Sequence, residues 1–275
     1  MNVSASLALV LAVAGASPPT TEDLLARFAQ AIADFEHASF RVETQSFGDH
    51  ASSPKDGPRR EEAHRVWRDH GLWRIQSHCK TRYLENGRLV TTREANETVC
   101  NATGCYSVVL DAATMQPKAM LVHLGAAEKQ RRRVVYESLA PFPNGGVDHN
   151  REILIDVLRG GALEVSQRPI DGRTYTVLTS TSRWGKHTIW YDPARGLAPR
   201  RITQRKEGPD ELMIGNGKIV TMNAVPPEYG GPWDLVTQQV DIAKYARVND
   251  RDVISGYSSA WQIRQANGTV TNSRT

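Results

Sequence analysis

The sequence has 275 residues, with 34 Lys+Arg against 30 Asp+Glu, so its formal net charge is +4 and its pI is near 9.0. A chain of this length with 40% hydrophobic residues buries roughly 70 to 75% of its surface on folding, which excludes a disordered protein. The mean hydropathy of −0.46 excludes an integral helical membrane protein, three cysteines exclude a disulfide-built scaffold, and the small, dispersed charge predicts no nucleic-acid partner.

The first 16 residues have the features of a signal peptide. They carry no charged side chain, residues 7–13 are apolar, and Ala14-Gly15-Ala16 follows as a small-x-small cleavage pattern. The segment also lacks lysine and arginine, so a buried first helix is the alternative. We expect cleavage after Ala16, and no lipid anchor because no cysteine follows that site. The product would be an exported protein of the periplasm or cell envelope with one domain over residues 17–275.

An amphipathic helix and a first strand are predicted next. Thr20 or Thr21 caps the helix, and Glu22 and Asp23 place negative charge in its first turn, where the helix dipole favours it. Apolar residues then recur at three- and four-residue spacing: Leu24, Phe28, Ile32 and Phe35. From residue 38 the apolar period drops to two, at Ala38, Phe40 and Val42, which predicts a strand.

Short alternating runs separated by turn residues follow from residue 62 onward. Asn86-Gly87, Asp171-Gly172 and Asn216-Gly217 favour tight hairpin turns, and consecutive hairpins predict an antiparallel meander. A second helix is predicted over His149 to Arg159, and Met115 to Gly146 is interpreted as an excursion with some helix. Connections this short exclude parallel crossovers, so the sequence predicts one α+β domain.

The three cysteines allow one disulfide in an exported protein. Cys100 and Cys105 enclose a four-residue turn and could face each other at the base of a hairpin. The hairpin that turns at Asn86-Gly87 sets Cys79 opposite Glu94, so Cys79 is expected to be free. The alternative is that all three are reduced and buried.

No catalytic or metal-binding motif is present in the sequence. Residues 256–260 only approach GxSxG, and residues 215–218 lack the first glycine of a phosphate-binding loop. The spacing of His64, His70, His78 and Cys79 fits no zinc site. We therefore expect no enzyme, no metal and no cofactor.

The stretch Thr188-Ile189-Trp190-Tyr191-Asp192-Pro193-Ala194-Arg195-Gly196-Leu197-Ala198-Pro199-Arg200-Arg201 resembles the LolA-like family. It is similar to that family's strand, Asp-containing turn with glycine, and basic strand, and the order of elements is similar over most of the mature chain. The resemblance implies a curved, incompletely closed antiparallel β half-barrel, covered by the N-terminal helix and one or more inserted helices. It also implies a periplasmic carrier of lipids or lipoproteins.

Residues whose side chains lie on the concave face of such a half-barrel would line an apolar cavity for acyl chains of lipids or lipoproteins. The expected lipid-binding residues are Phe28, Ile32, Phe40, Val42, Trp73, Ile75, Ile189, Tyr191, Trp261 and Ile263. The alternative is that the same residues fill an ordinary packed core. The leading hypothesis is thus a monomeric, non-catalytic lipid carrier. The competing hypothesis is a stress-sensing interaction module that signals to an envelope membrane protein through a sheet edge or a basic patch, either Lys129 to Arg133 or Arg200-Arg201. A third hypothesis is an enzyme with a nonstandard site.

Overall fold

The computed structural model describes residues 18–36, 39–48, 57–69, 72–101, 105–123, 154–170, 172–214, 218–248 and 251–274. The predicted signal peptide, the Asn216-Gly217 turn and most of the 115–146 excursion lie outside these residues. The described helices are α1 (Thr21–Glu36) and α2 (Leu154–Arg159), with three short 3-10 helices at Pro193–Arg195, Met222–Ala224 and Pro227–Tyr229. No described helix has both the length and the apolar character needed to cross a membrane.

Fifteen strands make up most of the described chain. The first six are β1 (Phe40–Gly48), β2 (Arg60–Asp69), β3 (Leu72–Glu85), β4 (Arg88–Cys100), β5 (Cys105–Leu110) and β6 (Pro117–His123). The next six are β7 (Ala162–Ile170), β8 (Arg173–Ser182), β9 (Gly185–Asp192), β10 (Ala198–Glu207), β11 (Glu211–Met213) and β12 (Ile219–Thr221). The last three are β13 (Trp233–Val248), β14 (Arg251–Gln265) and β15 (Val270–Arg274).

Thirteen strands form one antiparallel sheet in the order β6-β5-β4-β3-β2-β1-β15-β14-β13-β10-β9-β8-β7. Strands β11 and β12 form a separate hairpin. Most neighbours are consecutive in the chain, but β15 lies between β1 and β14. It joins β1 through only two residue pairs, Phe47 with Arg274 and Gly48 with Ser273. The part of the sheet from β6 to β1 is therefore joined to the part from β15 to β7 by a short ladder.

The predicted α+β half-barrel with a helical cover is wrong. Strands account for 66% of the structure and helices for 14%, and the sheet is open, with β6 and β7 as its edges. Part of the expected excursion is a strand, since residues 117–123 form β6. The strands are also longer than the short predicted runs, reaching 16 residues in β13. The fold is a mostly β, antiparallel sheet on which two described helices pack.

Helix α1 forms as its sequence predicts. Thr20 Oγ1 accepts the Asp23 N–H at 3.2 Å and the Asp23 carboxylate accepts the Thr20 N–H at 2.9 Å, a reciprocal cap. The hydrogen bonds from Thr20 lower the pKa of Asp23. Leu24, Leu25 and Phe28 are fully buried, which stabilises the docked helix by about 1.5 to 3 kcal/mol for each side chain. The side chains of Ile32 and Phe35 lie outside the described residues.

One face of the sheet, here called the helix-covered face, packs on both helices. The Ser180 hydroxyl donates to Leu158 O of α2 at 2.9 Å, and α1 contacts β10 and β14. The largest core cluster joins α1 and α2 to residues from both ends of the sheet, including Val66, Trp73, Leu178 and Ile202. A second cluster is Leu212, Ile214, Met222 and Val225, which packs the β11–β12 hairpin against β13. Both parts of the sheet, β6 to β1 and β15 to β7, therefore contribute side chains to one core on the helix-covered face.

Candidate functional site

The residues predicted to bind lipid project from the helix-covered face. Ile189 pairs with Ile202 and Ile202 with Val240, which places these three on one face of the sheet. Strand alternation extends that face to the other described strand residues of the set, which are Val42, Trp73, Ile75, Tyr191, Trp261 and Ile263. Phe28 lies on α1, which covers this face. The side chains of Ile32 and Phe40 lie outside the described residues. Same-face patterning therefore brought most of the predicted residues to one surface.

This surface is a packed core where α1 covers it. Phe28, Trp73, Ile75, Ile189 and Tyr191 are at most 2% exposed and belong to one cluster. The Tyr191 hydroxyl donates to Leu24 O at 2.8 Å, which fastens α1 to β9. Val42, Trp261 and Ile263 are half-buried outside the cluster. Lipid binding by the five clustered residues would require α1 to leave the sheet, and it stays a prediction.

A buried polar row lies on the same face beside the apolar cluster. Ser180, His187 and Gln204 are register partners, and Lys206 follows Gln204 on the same side of β10. Lys206 Nζ donates to Glu211 O at 2.9 Å and lies 5.5 Å from the centre of the Trp184 ring. Burial first, and the Lys206 charge second, lower the pKa of His187 to about 3. His187 is therefore neutral near pH 7.

Sequence reasoning missed this row because no motif marks it. The signal that was available is the period of two that places Gln204 and Lys206 on the side of Ile202. Gly185 lies beside the row with φ of 93°, and a side chain there would meet Arg205 O at 2.5 Å. The buried polar row is thus closely packed and forms part of the core.

A cavity lies on the opposite face, where β1 and β15 meet. We call it the junction groove. It has a volume of about 800 Å³ and is lined by Phe47, Thr203, Gln204, Arg205, Thr237, Gln238, Gln239, Ala260, Trp261, Gln262, Asn272 and Arg274. Most of these alternate with the helix-covered residues, as Thr203 does with Ile202 and Gln239 with Val240. Their side chains therefore project away from α1.

The junction groove is positively charged and rich in hydrogen-bonding groups. Its lining has two arginines and no carboxylate. Arg205 is paired with Glu207, its Nε lying 2.8 Å from the carboxylate, whereas no described carboxylate pairs with Arg274. The Gln262 amide donates to Asn272 Oδ1 at 2.9 Å, and the Gln239 amide donates to Asp241 Oδ2 at 2.5 Å. Arg274 is therefore the cation available to a ligand.

Two smaller cavities lie beside β1, β2 and β3, with volumes of about 290 and 230 Å³. Opposite charges already pair in the first, where Lys80 Nζ lies 2.6 Å from the Glu61 carboxylate. The second is lined by Arg41, His64, Arg65 and His78 with small or neutral neighbours. Burial lowers the pKa of His64, whose Nδ1 lies 2.8 Å from Ser77 Oγ. Neither cavity matches the junction groove in size.

The cysteines lie as the hairpin register predicts. Cys79 pairs in register with Glu94 and is free, and Cys100 is disulfide-bonded. Cys105 is the register partner of Cys100 and the third cysteine of the chain. Among the described residues no three metal-ligating side chains cluster, and residues 256–260 lie within β14 rather than at a strand-to-helix turn. The described geometry therefore offers a binding groove.

Comparisons with protein-family models, curated proteins and solved structures found no match to this chain. The LolA-like resemblance accordingly stays a prediction.

Proposed function

We propose that this protein is a non-catalytic binding protein of the cell envelope that holds an acidic saccharide in the junction groove. The observation that carries the proposal is a groove of about 800 Å³ whose Arg274 pairs with no described carboxylate and whose described lining has no carboxylate. Ligand pockets in proteins commonly have volumes of about 300 to 1,000 Å³. A groove of this size and charge favours an anionic ligand larger than a single ion.

The side chains favour a ligand that is rich in hydroxyl groups. The groove lies over paired strands, so the main-chain groups beneath it already form the hydrogen bonds of the sheet. A ligand in the groove would therefore be recognised by side chains. Thr203, Thr237 and Gln239 supply groups that both donate and accept hydrogen bonds, which matches sugar hydroxyls. Phe47 is 40% exposed and offers a flat apolar surface to the C–H side of a sugar ring.

A lipid ligand is less well supported by the geometry. The apolar side chains proposed for acyl chains are the packed cluster under α1, whereas the junction groove is lined largely by polar residues. The envelope location is part of the proposal and rests on the signal-peptide pattern of residues 1–16.

The test is calorimetric titration of the exported protein with a tetramer of galacturonic acid and with a neutral hexose tetramer. We expect saturable binding of the acidic tetramer only. Arg274→Ala removes the unpaired cation and should weaken binding about 10- to 100-fold, because a hydrogen bond to a charged group contributes about 1.5 to 3 kcal/mol. Arg205→Ala should have a smaller effect because Glu207 already neutralises that side chain.

The matched control is Arg88→Ala, which removes another exposed arginine, in the β3–β4 hairpin outside the groove. It should leave binding unchanged. Equal binding of the two tetramers, or equal losses in the Arg274 and Arg88 variants, would refute the proposal. Saturable binding of a fluorescent fatty acid, lost in Ile189→Lys, would favour the lipid carrier instead.

A further inference from the structure

The cavity of about 230 Å³ beside β1, β2 and β3 is here called the arginine pocket. It is lined by Arg41, Ala63, His64, Arg65, Gln76 and His78. Val66 and Ile75 belong to the core on the helix-covered face, so strand alternation turns Arg65 and Gln76 to the opposite face. The register adds Arg41, opposite Arg65, and the pair of Ala63 with His78. Five of the six lining residues therefore lie on the face away from α1.

The small side chain of Ala63 leaves the space of the pocket. Ala63 is half-buried, and longer side chains surround it on the same face. His78 lies directly opposite Ala63 on β3, and Arg65 lies two residues further along β2. Arg65 and His78 are thus diagonal neighbours, with Cβ atoms about 7 to 8 Å apart. Both side chains can therefore reach one small group held over Ala63.

Two arginines face each other at one side of the pocket. Arg41 and Arg65 are direct partners in the β1–β2 ladder, an arrangement in which like charges destabilise a sheet. Arg41 pairs with Glu43 at 2.5 Å. Within the described residues Arg65 forms no ion pair, and its guanidinium lies 5.5 Å from the centre of the Trp67 ring. An anion beside Arg65 would relieve the repulsion between the two arginines.

The carboxylates nearest the pocket are paired with other cations. Glu97, the register partner of Gln76, binds Arg74 at 2.7 Å. Glu62 binds Arg60 at 2.7 Å and alternates onto the helix-covered face. The described lining of the pocket contains no carboxylate. The pocket is therefore positively charged.

Three side chains of the pocket have hydrogen-bond donors available. Within the described part of the chain, Arg65, Gln76 and His78 form no side-chain hydrogen bond. A guanidinium has five N–H donors, an amide has two, and an imidazole has at least one. A single arginine fork already matches a planar carboxylate, whereas donors from three separate side chains suit an anion with oxygens in several directions.

The size of the pocket favours a small anionic group. Its volume is below the roughly 300 to 1,000 Å³ of pockets that enclose a whole drug-sized ligand. The Trp67 ring also restricts the guanidinium of Arg65, so that less side-chain freedom is lost when an anion binds. The arrangement fits one charged group at the end of a ligand whose remainder lies in solvent.

We propose that the arginine pocket binds a tetrahedral oxyanion, the phosphate or sulfate group of a small ligand. Arg65, Gln76 and His78 donate hydrogen bonds to its oxygens, and Arg41 supplies a second positive charge. The arginine pocket shares no lining residue with the junction groove. The proposal therefore does not rest on saccharide binding in that groove.

The first test is calorimetric titration with glucose 6-phosphate, with glucose as the control for the sugar. We expect saturable binding of the phosphate ester only. Inorganic phosphate and inorganic sulfate should both displace the ester, and the one that does so at the lower concentration identifies the preferred group. Equal binding of glucose, equal displacement by acetate, or no displacement by either tetrahedral anion would overturn the proposal.

Arg65→Gln removes the charge and keeps a hydrogen-bonding side chain. It should weaken binding of glucose 6-phosphate at least 10-fold, because hydrogen bonds between charged groups are the stronger ones. Arg88→Gln is the matched control, since it makes the same change at an exposed arginine outside the pocket. Equal affinities of these two variants would overturn the proposal. Arg274→Ala, in the junction groove, should leave binding of the phosphate ester unchanged.

Ala63→Leu fills the pocket without changing any charge, so it should also weaken binding at least 10-fold. Ala119→Leu makes the same change at an exposed position of β6 and should have no effect. Unchanged affinity in the Ala63 variant would place the anion elsewhere and overturn the proposal. Where a variant does not fold, NMR of the wild-type protein decides. Glucose 6-phosphate should shift the ring resonances of His78 and not those of the buried His187, and an unshifted His78 overturns the proposal.

Discussion

The two parts of the sheet differ in how many residues of each strand are buried, although the strands of both pair in antiparallel fashion. In β8 the six residues Tyr175–Ser180 are all buried, so both faces of that strand are covered. In β3 only Trp73 and Ile75 are buried, and in β4 only Ala95, Thr98 and Cys100 are. The other residues of this hairpin are partly or fully exposed. We call β7–β10 and β13 the core half and β2–β6 the arm half.

Exposed charge pairs link neighbouring strands of the arm half, and comparable pairs, such as Arg201 with Asp241, also lie in the core half. Lys80 pairs with Glu61 at 2.6 Å and Arg74 with Glu97 at 2.7 Å, and these side chains are 21 to 51% exposed. Exposed pairs of this kind contribute about 0 to 1 kcal/mol each. The comparison teaches that most of the folding free energy resides in the core half, which leaves the arm half and the junction between them free to serve binding.

The largest expected effect is the difference in stability loss between a substitution in the core half and one in the arm half. Ile189→Ala in the core half removes a fully buried side chain and should lower the free energy of unfolding by about 2 to 5 kcal/mol. Leu89→Ala in the arm half, where the side chain is 51% exposed, should cost less than about 0.5 kcal/mol. Urea unfolding measures both, and equal losses would contradict the assignment of stability to the core half.

Acid should weaken the core half through His187. Its folded pKa of about 3 lies below the ordinary value of 6.5, so the folded state binds fewer protons. The stability linked to His187 is present above pH 6.5 and is lost as the pH falls toward 3, at about 1.4 kcal/mol per pH unit. Urea unfolding between pH 7 and 4.5 should show this slope.

His187→Gln should flatten that slope because glutamine does not titrate. His64→Gln is the matched variant at the margin of the arm half, where the charge of Glu62 opposes the effect of burial on the His64 pKa. It should keep most of the slope. A wild-type slope that survives in the His187 variant would locate the acid sensitivity elsewhere.

The disulfide should stabilise the arm half by about 2 kcal/mol, which is the loop-closure value for a ring as short as residues 100–105. Cys100→Ala should lose this, whereas Cys79→Ala should not, because Cys79 is free. Thiol titration of the unfolded, unreduced protein should find one thiol per chain. A count of three would show that no disulfide forms.

The sequence correctly predicted those features of the fold that depend on residues close together in the chain. The Asn86-Gly87 turn, with φ of 51° and 76°, sets Glu85 opposite Arg88 and Cys79 opposite Glu94, as the hairpin register implies. The cap and apolar stripe of α1 likewise lie within one helix. Alternation also placed Trp73, Ile75 and Ile189 on one face, because that face follows from each strand alone.

Long-range pairing could not be predicted in the same way. The insertion of β15 between β1 and β14 joins Phe47 to Arg274, and no local pattern encodes that partner. The junction groove therefore escaped sequence reasoning, since its threonines, glutamines and arginines come from four strands and form no motif. Whether an apolar face holds a ligand or a helix is likewise decided by the fit of α1, which depends on the whole sheet.

The smallest expected effect concerns the link between α1 and the core half. Tyr191→Phe removes the hydroxyl that donates to Leu24 O at 2.8 Å and keeps the buried ring, so it should lower the free energy of unfolding by about 1 kcal/mol. Tyr106→Phe, at a 40% exposed position of the arm half, should leave it unchanged. Urea unfolding at pH 7 measures the pair, and equal values would show that this hydrogen bond does not stabilise the docked helix.

The hydrogen bond between Tyr191 and α1 can also be tested at alkaline pH, where stability should fall as the pH rises. Burial raises the pKa of Tyr191 above its ordinary value of 10, so the folded state keeps the phenol proton that the unfolded state releases. The stability linked to this group is complete below pH 10 and is lost as the pH rises further. Tyr191→Phe should reduce the alkaline slope without abolishing it, because burial also raises the pKa values of Tyr245 and Tyr257. An unchanged slope would mean that α1 leaves the sheet before Tyr191 ionises.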